Sequence, residues 1–386
     1  MKKIAVVTAT RAEYGLLSPV IEALRERESA SFVAHLIVTG THLSDKYGMT
    51  IDEITASGTR IDHIVPIPVD SDTELDISSN QAEALVKFTA LFSAERYNAV
   101  ILLGDRYETL AVAIAAGNTR TPVFHMCGGD VTEGALDEWI RHSITKISYL
   151  HFVTNEESRK RVIQLGEDPA RVFNFGSTSI DNILRVADMT RGEALSSIGL
   201  GECRYALCTY HPVTMDRGTP DEQIAQFLHA IEQVPELEFI VTKSNADQGG
   251  ARINELLDEG AERIDNLHVF TSLGVRRYLS LMKSAEFVLG NSSSGIIETP
   301  AFQIPTVNIG DRQRGRLQTD SIINCHDDTG SIVSAMRTAM NEDFRTKCKS
   351  VVSPYGSGDA GRLIAAKAIE AVTSGNIDLK KHFYDL

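Results

Sequence analysis

The sequence is poor in cysteine, in aromatic residues and in long apolar runs. Its 386 residues include five cysteines, none of them in a C-x-x-C pair. An odd number of scattered cysteines argues against a disulfide framework, so we expect reduced thiols and a cytoplasmic protein. The opening M-K-K-I-A-V-V-T-A-T-R contains only a short apolar run before Arg11. We therefore expect neither a secretory signal nor a membrane-spanning segment.

Basic residues are also in short supply. Lys and Arg number 38 against 52 Asp and Glu, which gives a formal charge of -14. A broad nucleic-acid surface depends on neutralising phosphates, so this balance argues against nucleic-acid binding. An anionic small ligand remains compatible with it, because such a ligand needs only a few local cations or helix N-termini.

Several motifs that would define a reaction class are missing. The sequence has no H-E-x-x-H, no paired-histidine spacing and no cysteine cluster, so it predicts no metal site. It has no G-x-S-x-G elbow for a serine nucleophile. The loop after the first apolar run is not G-x-G-x-x-G, so a dinucleotide is not indicated. We expect no cofactor.

Short runs rich in Val, Ile and Leu alternate with helical patterns along the whole chain. Such runs are typical of buried parallel strands and predict an α/β protein with two Rossmann-like doubly wound sheets. The length also exceeds what one hydrophobic core usually supports. The predicted strands are 4–9, 32–38, 61–66, 99–103, 122–125, 151–154, 172–175, 205–209, 238–242, 268–270, 286–289 and 306–309.

We place the domain boundary after residue 176, which gives an N-terminal domain of residues 1–176 and a second domain of residues 177–358. A helical stretch with an uncertain join, residues 180–198, opens the second domain. The last helix, residues 360–373, either ends that domain or crosses back to the first; its periodicity does not decide. The polar stretch of residues 70–80 is expected to be a mobile loop.

Acidic residues follow the fourth and fifth predicted strands. The segments V-I-L-L-G-D-R-Y-E-T and P-V-F-H-M-C-G-G-D-V-T-E-G-A-L-D place Asp105, Asp130, Glu133 and Asp137 at neighbouring strand ends. Carboxylates at this edge of a parallel sheet can move protons on a bound ligand, and their crowding should raise at least one pKa. The alternative is structural: Asp105 could cap a helix with Glu108 as its partner, and Asp137 could serve only the helix dipole.

Cationic and polar residues at other strand ends are candidates for binding an anion. Arg11 follows the first strand, where Thr10 and Glu13 form a predicted capping box at a helix N-terminus. Arg106 follows Asp105 and would favour its ionised form if the two side chains approach. His211 ends the first strand of the second domain, in T-Y-H-P-V-T.

The loop G-N-S-S-S-G-I-I-E-T-P is predicted to bind phosphate. Ser292, Ser293, Ser294 and Gly295 offer hydroxyl and backbone N–H groups at a helix N-terminus. Glu298 lies four residues after Ser294, so it is not that serine's capping-box partner. Its carboxylate could accept both hydroxyls of a ribose.

Together these motifs resemble the UDP-N-acetylglucosamine 2-epimerases, especially the hydrolysing branch that begins sialic-acid-type biosynthesis. The matching segments are T-A-T-R-A-E-Y-G, L-G-D-R-Y-E, H-M-C-G-G-D-V-T-E-G, D-E-W-I-R-H-S-I-T-K, Y-H-P-V-T, K-S-N-A-D, G-N-S-S-S-G-I-I-E and N-I-G-D-R-Q-R-G-R. The resemblance implies a GT-B-like fold with two Rossmann-like domains facing a cleft. It also implies that residues 359–386 form a C-terminal helix packing back on the first domain, and we expect a homodimer or homotetramer.

The resemblance implies a role for each matching residue. Asp105, Asp130 and Asp137 match catalytic acids, and Glu133 in the same loop joins them as a candidate. Arg11 and His211 match residues near the diphosphate, and His211 is also a catalytic candidate. Residues 292–294 match the diphosphate loop and Glu298 the ribose ligand, while Arg106, Lys243, Asn245 and Gly295 are further substrate-binding candidates.

The implied reaction converts UDP-N-acetylglucosamine and water to N-acetylmannosamine and UDP. UDP is eliminated to give 2-acetamidoglucal, which is then hydrated with inversion at carbon-2. The alternative substrate is UDP-N,N'-diacetylbacillosamine, in legionaminic acid synthesis. A UDP-sugar glycosyltransferase and a non-catalytic nucleotide-sugar sensor are lower-ranked alternatives.

Overall fold

The computed structural model describes residues 1–69, 73–132, 136–213, 219–244 and 249–386. Within these ranges the strands are β1 Lys2–Thr8, β2 Phe32–Thr39, β3 His63–Val65, β4 Ala99–Leu103, β5 Val123–Met126, β6 Leu150–Val153, β7 Val172–Asn174, β8 Tyr205–Thr209, β9 Glu238–Thr242, β10 Leu267–Phe270, β11 Val288–Gly290, β12 Thr306–Ile309 and β13 Ile322–Cys325. The helices are α1 Arg11–Arg25, α2 Ile51–Ala56, α3 Glu74–Glu95, α4 Tyr107–Asn118, α5 Asp137–Ile147, α6 Glu156–Gln164, α7 Thr178–Val186, α8 Arg191–Ser196, α9 Pro220–Glu232, α10 Gly250–Ala261, α11 Gly274–Ser284, α12 Ser294–Ile297, α13 Thr329–Met340, α14 Glu342–Cys348 and α15 Ala360–Ser374. No helix in these ranges has the length and hydropathy to cross a bilayer.

The strands form two parallel sheets, which confirms the predicted fold class. Among the described residues, one sheet has seven strands in the order β3-β2-β1-β4-β5-β6-β7, and the other has six in the order β10-β9-β8-β11-β12-β13. Both orders reverse direction beside the first strand, between β1 and β4 and between β8 and β11. In doubly wound sheets, ligands bind outside the carboxyl ends of the strands at this switch point. The loops that carry Arg11, Asp105, His211 and Ser292 follow these four strands.

Most predicted elements match the structure, and two differ. Strand β13 is missing from the prediction, because none of its four residues is fully buried. The helical stretch of residues 180–198, whose join the sequence left uncertain, comprises two helices, α7 and α8, since Thr190 forms a capping box that starts the second. The loop expected at residues 70–80 is wrong for 74–80, where a capping box of Thr73 and Asp76 opens α3; residues 70–72 lie outside the described ranges.

The chain divides into two compact units. The first comprises Met1–Asp130, Asp137–Asp181 and Tyr355–Leu386, and the second contains Asn182–Pro354 and the described residues of 131–136. In the first unit, one apolar sheet face is buried with α1 and α15, and the other with α3, α4 and α5. Asp181 accepts hydrogen bonds from the N–H groups of Ala360 (3.2 Å) and Gly361 (2.8 Å). A side chain from α7 thus satisfies the first turn of α15 and fixes the C-terminal helix within the first unit.

Candidate active site

A buried arginine binds the acid at the end of β4. Arg141, on α5, donates from Nε to Asp105 Oδ2 at 2.9 Å, and its Nη2 donates to the same oxygen. Its Nη1 donates to the backbone oxygen of Asp130 at 2.7 Å. One guanidinium therefore joins the carboxyl ends of β4 and β5 and brings Asp105 and the Asp130 backbone together.

The charge of Arg141 is neutralised locally although its side chain is only 1% exposed. Burial by itself would lower the pKa of Arg141, but the charges of Asp105, Asp130 and Glu138 outweigh burial and raise it. Glu138 Oε2 accepts from Nη1 at 2.8 Å. A permanently charged guanidinium, bound by two carboxylates and a backbone oxygen, holds the Asp105 carboxylate in one orientation.

Asp130 is held by hydroxyl groups. Thr154 Oγ1 and Ser158 Oγ each donate to Asp130 Oδ1 at 2.7 Å. Gly129 makes this approach possible: its φ is +78°, and a Cβ there would lie 2.2 Å from the backbone oxygen of Ser158. Gly129 is thus needed for close packing of this loop on α6, whereas Gly128 packs against His125 and Thr145. The Asp130 side chain is 6% exposed.

The remaining acidic candidates are placed differently. Asp137 is the first residue of α5 and is half-buried, one turn before Arg141. Glu133 lies outside the described residues. The capping alternative for Asp105 is wrong, because α4 has Arg106 at its N-cap position with no side-chain cap. Arg106 donates to Glu108 at 2.7 Å, whereas the guanidinium bound to Asp105 is that of Arg141.

Burial is the main cause of a raised pKa at Glu13, which the sequence identifies as a member of a helix capping box. The capping box of Thr10 and Glu13 is present, and Glu13 Oε2 accepts from the N–H of Ala9 at 2.7 Å. Burial and the neighbouring carboxylate of Glu108 raise the pKa of Glu13 from 4.5 to about 8, against the charge of Arg106. Glu13 Oε1 and Glu108 Oε2 have no hydrogen-bond partner among the described residues.

The raised pKa of Glu13 predicts a pH-dependent stability. The folded chain keeps the proton up to a pH of about 8, whereas the unfolded chain loses it near 4.5. Stability is therefore lost as pH rises between these values, by at most about 1.4 kcal/mol per pH unit for one proton. Glu13→Gln keeps the capping box and should flatten this slope in urea unfolding from pH 5 to 8. Glu26→Gln, at the exposed end of the same helix, is the control; parallel curves for wild type and Glu13→Gln would contradict the assignment.

In the second unit, His211 is fixed by an asparagine that sequence reasoning missed. Asn291 Oδ1 accepts from the N–H of His211 at 2.7 Å, and its Nδ2 donates to the His211 oxygen at 2.8 Å. His211 Nδ1 lies 3.1 Å from Ser244 Oγ, and the residue is 6% exposed. Gly290 permits this pairing, because a Cβ there would lie 2.0 Å from the oxygen of Thr209. The ends of β8 and β11 are thus joined at the switch point.

The serine loop opens a helix of a single turn, α12. Any anion binding therefore depends on local N–H and hydroxyl groups more than on a helix dipole. Ser294 Oγ accepts from the Tyr278 hydroxyl at 3.0 Å and donates to Glu298 Oε2. Gly295 is a packing position, since a Cβ would lie 2.9 Å from Thr306 Cγ2. Ser292 and Ser293 are half-exposed at the start of the turn.

Lys243 follows β9 and donates to Asp258 at 2.6 Å. Its neighbour Ser244 donates its N–H to Asn254 Oδ1 at 2.7 Å. Asn245 lies outside the described residues.

A separate cavity of about 490 Å³ lies at the carboxyl ends of β12 and β13 and is lined by Arg314 and Arg316 among others. Its size lies within the range of small-molecule sites, roughly 300–1,000 Å³.

The sequence model of the family described as UDP-N-acetylglucosamine 2-epimerase matches residues 23–369. The chain belongs to this family. It is 38% identical over 327 residues to the "GDP/UDP-N,N'-diacetylbacillosamine 2-epimerase (hydrolyzing)" of Campylobacter jejuni, covering 84% of each chain. It is 37% identical over 389 residues to polysialic acid biosynthesis protein P7 of Escherichia coli, covering 100% of this chain and 98% of that one.

The family fold is also found in solved structures. The UDP-GlcNAc 2-epimerase of Neisseria meningitidis, crystallised with UDP-GlcNAc, superposes with a TM-score of 0.80 at 18% identity. The match covers 96% of this chain and 100% of that chain. The two parallel-sheet units are thus the GT-B-like fold of this family.

Arg141 is the main site residue that sequence reasoning overlooked. A signal was available: Ile140, Arg141, Ile144 and Thr145 form the buried face of α5, where a charged residue requires a partner. Asn291 gave no comparable signal, because a polar residue after a strand is ordinary in a loop.

Proposed function

We propose that this epimerase-family chain is a hydrolysing UDP-sugar 2-epimerase whose preferred substrate is UDP-N,N'-diacetylbacillosamine. The observation that carries the proton-transfer chemistry is the Asp105–Arg141–Asp130 arrangement at the carboxyl ends of β4 and β5. Arg141 holds the carboxylate of Asp105, and Thr154 and Ser158 hold that of Asp130, where doubly wound sheets bind ligands.

The proposed reaction has two steps. A base removes the proton from carbon-2 while the bond from carbon-1 to the diphosphate oxygen breaks, giving a 2-acetamidoglycal and UDP. Water then adds to the double bond, and its hydroxyl goes to carbon-1. A proton is delivered to carbon-2 on the face opposite to the one from which the first proton was removed. Asp105, Asp130 and Asp137 supply the acid and base groups, with Glu133 as a further candidate.

The second unit supplies the proposed nucleotide contacts. His211, held by Asn291 and Ser244, and the hydroxyl groups of Ser292 and Ser293 bind the diphosphate. Glu298, already oriented by Ser294, binds the ribose hydroxyls. Arg11 and Arg106, in the first unit, and Lys243, Asn245, Ser294 and Gly295, in the second, complete the proposed set. Cationic and N–H groups stabilise the negative charge that develops on the departing diphosphate.

The substrate assignment depends on the relatives. The Campylobacter jejuni relative is named for both the hydrolysing reaction and the bacillosamine sugar, and it is 38% identical to this chain. This supports UDP-N,N'-diacetylbacillosamine, the alternative substrate, over our first expectation of UDP-N-acetylglucosamine. The similarity to a polysialic acid biosynthesis protein keeps UDP-N-acetylglucosamine as the second candidate.

Incubation of the chain with each UDP-sugar alone, in D2O, tests the proposal. We expect free UDP and a free 2-epimeric sugar that carries deuterium at carbon-2, because the new proton comes from solvent. Sites that hydrogen-bond a substrate amide discriminate against analogues that lack this amide. UDP-N-acetylglucosamine lacks the second acetamido group of UDP-N,N'-diacetylbacillosamine, so we expect kcat/KM to be at least about tenfold higher for UDP-N,N'-diacetylbacillosamine.

Other products point to the alternatives. A deuterated epimer that keeps its UDP would identify a non-hydrolysing epimerase. Turnover that needs an added acceptor would identify a glycosyltransferase, and nucleotide-sugar binding without turnover would identify a sensor. A preference for UDP-N-acetylglucosamine would reject only the substrate assignment.

A further inference from the structure

Two histidines on the neighbouring strands β2 and β3 lie together with a glutamate at the end of α3. His35, His63 and Glu95 each offer one possible metal-ligand atom, and these three atoms lie within 4.8 Å of one another. All three residues are half-buried. None of the three residues lies in the loops after β4 and β5 that carry the candidate catalytic acids, so the cluster is separate from the proposed epimerase chemistry.

The sheet register explains the cluster. His63 pairs with Ile37, and His35 precedes Ile37 by two positions on β2. Residues paired across parallel strands, and residues two apart along a strand, share a face, so both imidazoles lie on the same face. Helix α3 covers that face and ends at Glu95, beside the histidines. Its C-terminal carbonyl groups favour a cation there.

Neighbouring groups prepare the cluster for a cation. His35 Nδ1 lies 3.2 Å from the Tyr97 hydroxyl, and a bond of this kind fixes the ring that a metal would use. The Lys3 ammonium already binds Glu95 at 2.8 Å, so a cation is held at this carboxylate.

We propose that His35, His63 and Glu95 bind a divalent transition-metal ion such as Zn²⁺, with water completing the coordination. Two imidazoles and one carboxylate are donors that Zn²⁺ accepts in a tetrahedral site. The ion replaces the Lys3 ammonium at Glu95; Lys3 is 24% exposed and can turn to solvent. It joins β2, β3 and the end of α3, and so stabilises the first unit.

The test uses the full chain without a histidine tag, stripped of metal and titrated with Zn²⁺ and with Co²⁺. We expect one ion per chain, a tetrahedral Co²⁺ absorption spectrum, and a rise in the thermal midpoint with Zn²⁺ concentration. His63→Gln and Glu95→Gln should each weaken Zn²⁺ binding at least about tenfold. Even the loss of a residue that only hydrogen-bonds to a metal ligand typically lowers metal affinity by about 10–100-fold.

Two further variants make the test specific. His268→Gln is the matched control: His268 is half-buried and pairs with Glu238 at 2.7 Å, but no third ligand group is grouped with it among the described residues. It should leave Zn²⁺ affinity unchanged. Lys3→Met removes the competing ammonium and should raise affinity by up to about fivefold. Unchanged affinity in His63→Gln and Glu95→Gln, or an equal loss in His268→Gln, would overturn the proposal, as would weaker binding in Lys3→Met.

Discussion

Replacement of Asp105 by Asn should lower turnover of the UDP-sugar by at least about a hundredfold, because it removes the proton-transfer group and keeps the size of the side chain. UDP affinity should stay nearly unchanged. Asn keeps an oxygen that accepts from Arg141 but loses the charge, so we expect a stability loss of roughly 1–3 kcal/mol. Turnover is measured where urea unfolding shows the variant to be fully folded.

Glu138→Gln is the matched control for this variant. Glu138 also binds Arg141 through a carboxylate, and its side chain is 28% exposed against 26% for Asp105. It should therefore show a comparable loss of stability while turnover falls much less. Equal losses of turnover in the two variants would indicate that Asp105 acts only by balancing the charge of Arg141.

The two half-reactions separate the acids further. Asp105→Asn, Asp130→Asn and Asp137→Asn are each assayed for glycal release from substrate and for hydration of supplied glycal. A variant that lacks the elimination base should still hydrate the glycal, and one that lacks a hydration group should still release it. Full turnover in all three would reject the acid–base assignment.

Replacement of Arg141 by Met should have the largest effect on stability. The side chain is 1% exposed and its guanidinium binds Asp105, Glu138 and the Asp130 backbone. Removing one partner of a buried ion pair typically costs about 3–5 kcal/mol, because the other charge loses its compensation. Urea unfolding measures this loss, and turnover should fall with it because Asp105 loses its fixed orientation.

Arg141→Lys and Arg263→Met distinguish charge from geometry. Lysine keeps the charge but cannot reproduce the fork of donors, so we expect intermediate stability with turnover still reduced at least about tenfold. Arg263 forms an exposed pair with Glu232 at 2.7 Å, and Arg263→Met should cost only about 0–1 kcal/mol. A cost for Arg141→Met as small as that for Arg263→Met would show that the buried pair is not needed for stability.

The α/β class and most strand positions could be predicted from the amino-acid sequence. Strands β4 and β8 coincide with their predicted bounds because each is a continuous buried run of mostly apolar residues, a pattern that needs no tertiary information. The sequence also predicted polar residues at four strand ends beside the switch points. The parallel order of a doubly wound sheet then brings those ends to a common edge.

Which of these side chains meet depends on how the helices and strands pack in three dimensions. Asp105 binds Arg141, 36 residues away, whereas its sequence neighbour Arg106 binds Glu108. His35, His63 and Glu95 come together from two strands and a helix end, and no local spacing marks them. Periodicity shows which face of an element is buried, but the partner on the facing element is set by how the elements pack. That is why strands were predictable from the sequence, while the ion pairs and the candidate metal ligands were not.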